Sequence, residues 1–256
     1  MNSNIARNFS EFSEAIKRLP STQLTLIDLA SFRLAENEKI TMYYAPFDWI
    51  NAAAKVVIVG ITPGQDSMLN AFRAAASSLK EGRTTDEASE LGKRRGSFSN
   101  MKSTMARMFD DIGLPAALGI SQSKELFENR QDLIHATSCV RYPALVWSKK
   151  KNSWTNYTGH SPKLLKWGTS RRYIEEVLAE ELRQFPRALI VPCGKAVTEA
   201  LQHLSSKGVI DPLRCLFGFP HASGANVGRK KQFDELRGEL RERVSFWHRE
   251  YLVPEN

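Results

Sequence analysis

The sequence contains no apolar run near the roughly 20 residues that a membrane-spanning helix needs. Its first ten residues, Met1 to Ser10, are polar where a secretion signal would carry an apolar core. A cytoplasmic protein with no membrane partner is therefore expected. Cysteine is scarce: Cys139, Cys193 and Cys215 are the only three in 256 residues, and none belongs to a C-x-x-C pair. That spacing excludes an ordinary zinc site, and isolated thiols fit a reducing compartment. No G-x-x-x-x-G-K-[ST] element is present, which argues against a nucleotide hydrolase with a phosphate-cradling glycine loop. Neither a metal nor a cofactor is expected. No internal repeat and no linker interrupts the chain, so one α/β domain is the simpler reading.

What is present is the composition of a globular protein, 42% hydrophobic and 25% charged, on a chain long enough to bury a core. The net charge of +8 points to an acidic partner. Basic clusters stand at Lys93-Arg94-Arg95, Lys149-Lys150-Lys151, Arg171-Arg172 and Arg229-Lys230-Lys231. Around a cleft, such side chains supply the sequence-independent attraction for phosphates that nucleic-acid-binding proteins use.

Residues 1–42 read as an N-terminal helical extension, with helical periodicity from Ser10 to Leu19 and from Ser21 to Ala35, broken by Pro20. Tyr43 to Phe47 reads as a loop. Residues 43–256 then form the α/β domain. Four short apolar runs, 55–60, 133–140, 188–193 and 215–219, read as buried strands. Between and after them come apolar helical faces: Met101 to Ile112, Ile174 to Leu182, Val197 to Leu204 and Phe233 to Trp247. Strands alternating with helices predict a central four-stranded parallel sheet flanked by helices. Residues 80–98 are polar and charged and read as a loop. Residues 142–170 interleave Trp147, Trp154, Tyr157 and Trp167 with lysines. Such a loop suits base stacking and phosphate binding; equally, it is a surface loop anchored by its own tryptophans.

Two segments carry the chemistry. Gly60-Ile61-Thr62-Pro63-Gly64-Gln65-Asp66 follows the run Val56 to Val59, and Pro220-His221-Ala222-Ser223-Gly224-Ala225-Asn226 follows Cys215 to Phe219. Each is an apolar strand pattern ending in a Gly/Pro-rich loop with polar side chains, and strand C-terminal ends are where open α/β sheets build their sites. Gly60 and Gly64 permit close approach of the backbone to a ligand, and Pro63 stiffens the turn.

Together the two loops resemble the paired active-site motifs of the uracil-DNA glycosylase superfamily. Three further segments follow in matching order: Phe98-Ser99-Asn100 before a helix ending at Asp111 to Leu114, Asp132-Leu133-Ile134 through Arg141-Tyr142-Pro143, and Pro186 to Gly194. The likeness spans roughly residues 43–248 and is nearest to the thermostable-type family, without its four iron–sulfur cysteines. It implies a monofunctional DNA glycosylase, a monomer that flips a base out of DNA and hydrolyses its N-glycosidic bond with water. On this resemblance His221 stabilises charge on the departing pyrimidine, Ser223 binds a neighbouring phosphate, Gln65 lines the substrate loop, and Phe98 stacks on the flipped base. Asn226 and Val227 through Arg229 and Lys230 occupy the place of the DNA-penetrating loop, where Val227 or Arg229 fills the gap left by the base.

The chain departs from the family pattern in two informative ways. Ile61 and Thr62 stand where a water-positioning acidic or amide residue is usual, leaving Asp66 as the one carboxylate in the loop and Thr62 as the other candidate. Ala136 stands where uracil enzymes read the pyrimidine edge with asparagine, with His135 or Ser138 as possible replacements. Loss of such an edge contact redirects selection, so a modified cytosine in foreign DNA rivals uracil as the substrate. A DNA-binding module that keeps the fold without turnover is the alternative function.

Overall fold

The computed structural model describes residues 5–20, 23–36 and 39–252. The fold class is α/β. Its chain divides into two compact units, each gathered from three stretches: residues 1–50, 61–99 and 138–173 in the first, and residues 51–60, 100–137 and 174–256 in the second.

The first unit carries an antiparallel sheet that the sequence does not predict. Strands β1 (Arg33–Glu36), β2 (Ile40–Tyr43), β5 (Ala144–Ser148) and β6 (Ser153–Asn156) lie in that order. The first fifty residues are thus not a helical cap. Among the described residues, helix there is limited to a 3-10 turn at Phe9–Glu11 capped by Asn8, the short α1 (Ser13–Lys17) and a 3-10 turn at Ala30–Phe32. Ser21 and Thr22, at the start of the second expected helix, lie outside the described residues. Strand β1 wins over helical periodicity because β2 offers it a ladder, a long-range gain that local propensity does not register. β5 and β6 form a hairpin across the stretch read as a loop. Its turn residue Asn152 has φ +49°, a left-handed conformation that asparagine tolerates well.

Residues 80–98 are likewise no loop. They hold the whole of α3 (Thr85–Gly96), which begins with a reciprocal capping box between Thr84 and Glu87. Its buried face is Ala88, Ser89, Gly92 and Gly96, small residues at helical spacing that carry little hydrophobic signal, together with Lys93. The small residues allow a close approach to α2 (Gln65–Lys80): a Cβ on Gly96 would stand 2.6 Å from the Ser67 carbonyl oxygen. The Lys93-Arg94-Arg95 cluster is partly structural. Lys93 is buried and donates to the Trp49 carbonyl at 2.6 Å, while Arg94 lies over the Trp49 ring. The unit is completed by α6 (Gly168–Arg172).

The second unit holds the parallel sheet, β4 (Ile134–Ser138), β3 (Val56–Gly60) and β7 (Leu189–Pro192), in the order β4-β3-β7. β3 and β7 are buried along their whole length, as expected of strands covered on both faces. The sheet has three strands, not the predicted four. The run at 215–219 makes a single parallel bridge, Ile190 to Cys215. Gly218, at φ +86°, then turns the chain away from extended geometry. The helical faces predicted from periodicity are present in α4 (Lys102–Asp111), in a helical run that ends with α7 (Ala179–Arg183), in α8 (Lys195–Ser206) and in α9 (Arg229–Trp247). The short α5 (Leu114–Leu118) follows α4. Among the described residues, no helix is long and apolar enough to cross a membrane.

Candidate functional site

In the parallel sheet the first strand of the chain, β3, lies in the middle, with β4 on one side and β7 on the other. A change of winding direction of this kind opens a crevice beyond the strand C-termini, where ligands of open α/β sheets bind. Gly60 ends β3 at that edge. β7 ends at Pro192, and the next turn, Cys193-Gly194, hydrogen-bonds back to Val59 and to Phe219. Gly194 has φ +95°, and a Cβ there would lie 3.0 Å from the His221 Cβ. The chain thus needs glycine at 194 both for its backbone angle and to seat His221 at the end of β7.

The loop around His221 is tightly specified. Nδ1 lies 2.9 Å from the Ser223 hydroxyl and accepts the Ser223 backbone N–H at 3.3 Å. With Nδ1 an acceptor, the neutral ring carries its proton on Nε2, and Nε2 has no partner among the described residues. Burial, and then the Arg229 charge, push the His221 pKa below its ordinary value, so the neutral donor form prevails at pH 7. Asn226 Nδ2 donates to the His221 carbonyl at 3.2 Å and to Gln232 at 3.0 Å. Arg229 donates to the Ala222 and Ser223 carbonyls at 3.0 and 2.5 Å. The guanidinium is therefore engaged in building the loop. Val227, by contrast, is 98% exposed. Arg229, Lys230 and Lys231 crowd the N-terminus of α9, whose first turn has no acidic residue. Cations at a helix N-terminus repel its dipole, and an anion there would relieve the repulsion.

Beyond Gly60 the first motif belongs to the first unit. The Thr62 hydroxyl donates to the Tyr142 carbonyl at 2.8 Å and accepts the Ala144 N–H at 3.1 Å. Its hydrogen-bonding capacity goes to pinning the loop against the start of β5. Gly64 and Gln65 are held from β6: the Gln65 N–H donates to Asn156 Oδ1 at 2.8 Å, and a Cβ on Gly64 would sit 2.9 Å from Asn156 Nδ2. Pro63 precedes that clamp. Asp66 lies exposed in the first turn of α2, with no hydrogen bond or ion pair among the described residues. Phe98 sits in the same unit, half-buried, at φ +51°. For a bulky residue that angle is strained, and strain of this kind gathers at functional sites.

The sequence pattern does not single out Asn156, because its role depends on the β5–β6 hairpin, which forms within a stretch of loop-like composition. Nor does it single out Asp48. The hydroxyls of Tyr44 and Tyr142 donate to the Asp48 carboxylate at 2.7 and 2.5 Å. Burial pushes the Asp48 carboxyl up, against the pull of those two hydroxyls. Burial, together with the Asp48 charge, drives both phenols far above their ordinary range. Tyr142 thus joins a buried carboxylate, through its hydroxyl, to Thr62, through its carbonyl.

Along β4, Ala136 and Ser138 fall on one face and His135 and Thr137 on the other. His135 is unavailable as an edge reader. It is buried, its Nδ1 accepts the Asn51 N–H at 3.3 Å, its Nε2 meets Glu181 at 2.6 Å, and its ring stacks on Phe185. The Thr137 hydroxyl is buried without a hydrogen-bond partner among the described residues. No group of three or more His, Cys, Asp or Glu side chains is placed to hold a metal ion among those residues. All three cysteines are buried and outside any disulfide, and burial pushes the Cys193 and Cys215 thiols up to about 12.

Fold and loop define an α/β protein with the polar His221 loop at the C-terminal edge of the parallel sheet of its second unit. The chain is 36% identical over 239 residues to the uncharacterized protein YoxB of Bacillus subtilis (strain 168), a match covering 91% of each chain, and it belongs to the family of that protein. No model of a known protein family matches the chain, and no solved structure matches it.

Proposed function

We propose that this protein is a monofunctional DNA glycosylase that hydrolyses the N-glycosidic bond of a flipped uracil or modified pyrimidine. The observation that carries the reading is His221: a neutral imidazole at the end of β7, with Nδ1 occupied by Ser223 and Nε2–H left to donate. As the C1′–N1 bond breaks, its electron pair leaves with the base. The charge collects on the pyrimidine carbonyl oxygen, where an N–H donor lowers the barrier. Water adds to C1′ and loses a proton, the base takes up a proton, and an abasic sugar remains. Asp66 is the carboxylate assigned to orient that water or to stabilise the cationic sugar. Thr62 is a positioning residue, since its hydroxyl is engaged by two backbone groups. Of the two candidates for filling the gap left by the base, Val227 is the better wedge, because Arg229 is tied to its own loop.

The commitment of Thr62 also favours the alternative, a DNA-binding module without turnover, because it leaves the first motif with one carboxylate. The deciding experiment is abasic-site formation on DNAs carrying uracil, a thymine mismatch, hydroxymethylcytosine or its glucosylated form, with His221→Ala as control. Product at uracil alone assigns repair-type chemistry. Product only at a modified cytosine assigns a pocket redirected toward foreign DNA. Binding without product on any substrate rejects the enzyme in favour of the module.

A further inference from the structure

The positive charge of this chain is concentrated in one stretch. Residues 133–174 contain no Asp or Glu and hold eight basic residues, from Arg141 to Arg172. The rest of the chain balances, 28 basic residues against 28 acidic. The stretch includes the β5–β6 hairpin of the first unit. Its turn carries Lys149, Lys150 and Lys151, all exposed and without an acidic partner among the described residues. Directly behind the turn, Trp147 pairs with Trp154 across the ladder, with ring centroids 5.5 Å apart and nearly perpendicular. Cross-strand partners point to the same face of a sheet, and Trp147 is 39% exposed on it. Asn156 is two residues beyond Trp154 and therefore on the same face. Its side chain is the one that holds the Gly64–Gln65 loop. A single face thus runs from three free cations, past two indoles, to the first motif.

We propose that this face is a track for single-stranded DNA, with phosphates held at the lysine turn and unpaired bases stacked at Trp147, leading toward the Gly64–Gln65 loop. The choice of DNA over other polyanions rests on the glycosylase reading; the choice of an unpaired strand rests on the exposed indole, which can stack only on a base released from its partner. From Ser153 to Asn156 the strand covers about 10 Å, the span of about three stacked nucleotides at ~3.4 Å each. The other aromatics of the stretch serve the fold instead: Tyr157 and Trp167 pack on each other, and the Tyr157 hydroxyl donates to the Pro162 carbonyl.

The test is fluorescence anisotropy of the full chain with a labelled 20-nucleotide thymidine strand and a duplex of equal length, from 50 to 200 mM salt. The variants are Trp147→Ala and the combined K149Q/K150Q/K151Q, each checked by thermal melting. The triple variant is expected to bind the single strand at least tenfold more weakly, with a log–log salt slope reduced by about 2. Trp147→Ala is expected to weaken single-strand binding at least fivefold and duplex binding less than twofold. Folded variants that bind like the wild type with the same salt slope, or a wild-type chain that binds no DNA, overturn the track. Weakening of duplex and single strand alike by Trp147→Ala overturns the single-strand assignment. Abasic product is measured in parallel on the wild type. A chain that makes none while its hairpin variants lose binding rejects the glycosylase and keeps the track. A chain that makes product while its hairpin variants bind normally does the reverse.

Discussion

Replacing Thr62 by valine keeps the shape of the side chain and removes one oxygen. That oxygen serves two buried backbone groups, the Tyr142 carbonyl at 2.8 Å and the Ala144 N–H at 3.1 Å. Both residues are fully buried, so water cannot substitute freely. Leaving a buried polar group unpaired costs about 1–3 kcal/mol, so two such groups predict a loss of about 2–6 kcal/mol. At about 2–4 °C per kcal/mol for a chain near this size, the melting temperature falls by about 4–24 °C. Thr62→Ser keeps the oxygen and is expected to lose less than about 1 kcal/mol, since only a methyl group goes. Urea unfolding of the three proteins, with the m-value compared, is the assay. A valine variant within about 0.5 kcal/mol of the wild type would refute the clip and return Thr62 to the list of residues free to act on water.

Further predictions follow from the same geometry. Gly96→Ala places a Cβ 2.6 Å from the Ser67 carbonyl oxygen and 2.8 Å from the Ala71 Cβ; overpacking of about 1–3 kcal/mol is expected to outweigh the gain in helix propensity. Gly238→Ala, in α9 with nothing within 4 Å, is expected to stabilise by about 0.5–1 kcal/mol, and calorimetry of the pair separates packing from propensity. Glu181→Leu removes the carboxylate facing buried His135 and is expected to cost about 3–5 kcal/mol; a change within 0.5 kcal/mol (roughly the scatter of surface mutations) refutes that pairing. Finally, an NMR titration of His221 is expected to give a midpoint below 6.5, because burial and then Arg229 disfavour its charged form. Between that midpoint and 6.5 the unfolded chain binds more protons than the folded one, so this group's share of stability rises with pH and is lost as pH falls through the window. Arg229→Gln removes the second cause and is expected to move the midpoint toward 6.5; an unshifted midpoint contradicts the Arg229 contribution.

Some of this was written into the chain itself. The apolar runs at 55–60 and 188–193 contain strands because Val56–Gly60 and Leu189–Pro192 are buried at every residue, which leaves no alternation to misread. The faces of α4, α8 and α9 carry large apolar residues at helical spacing, and they form where that spacing predicts. The loops after β3 and around His221 were legible for the same reason, as polar glycine-rich breaks at the ends of apolar runs. Other features exist only through partners distant in sequence. α3 packs through alanine, serine and glycine, so its stability lies in backbone proximity to α2 rather than in any hydrophobic pattern. The β5–β6 hairpin draws its ladder from β2, about a hundred residues away. The roles of individual polar atoms were decided last of all. A sequence places a threonine or a histidine in a loop; only the folded chain brings the Ala144 N–H to Thr62, Glu181 to His135 and Ser223 to one nitrogen of His221. Hydrogen bonds act over about 3 Å, a distance that no spacing along the chain specifies.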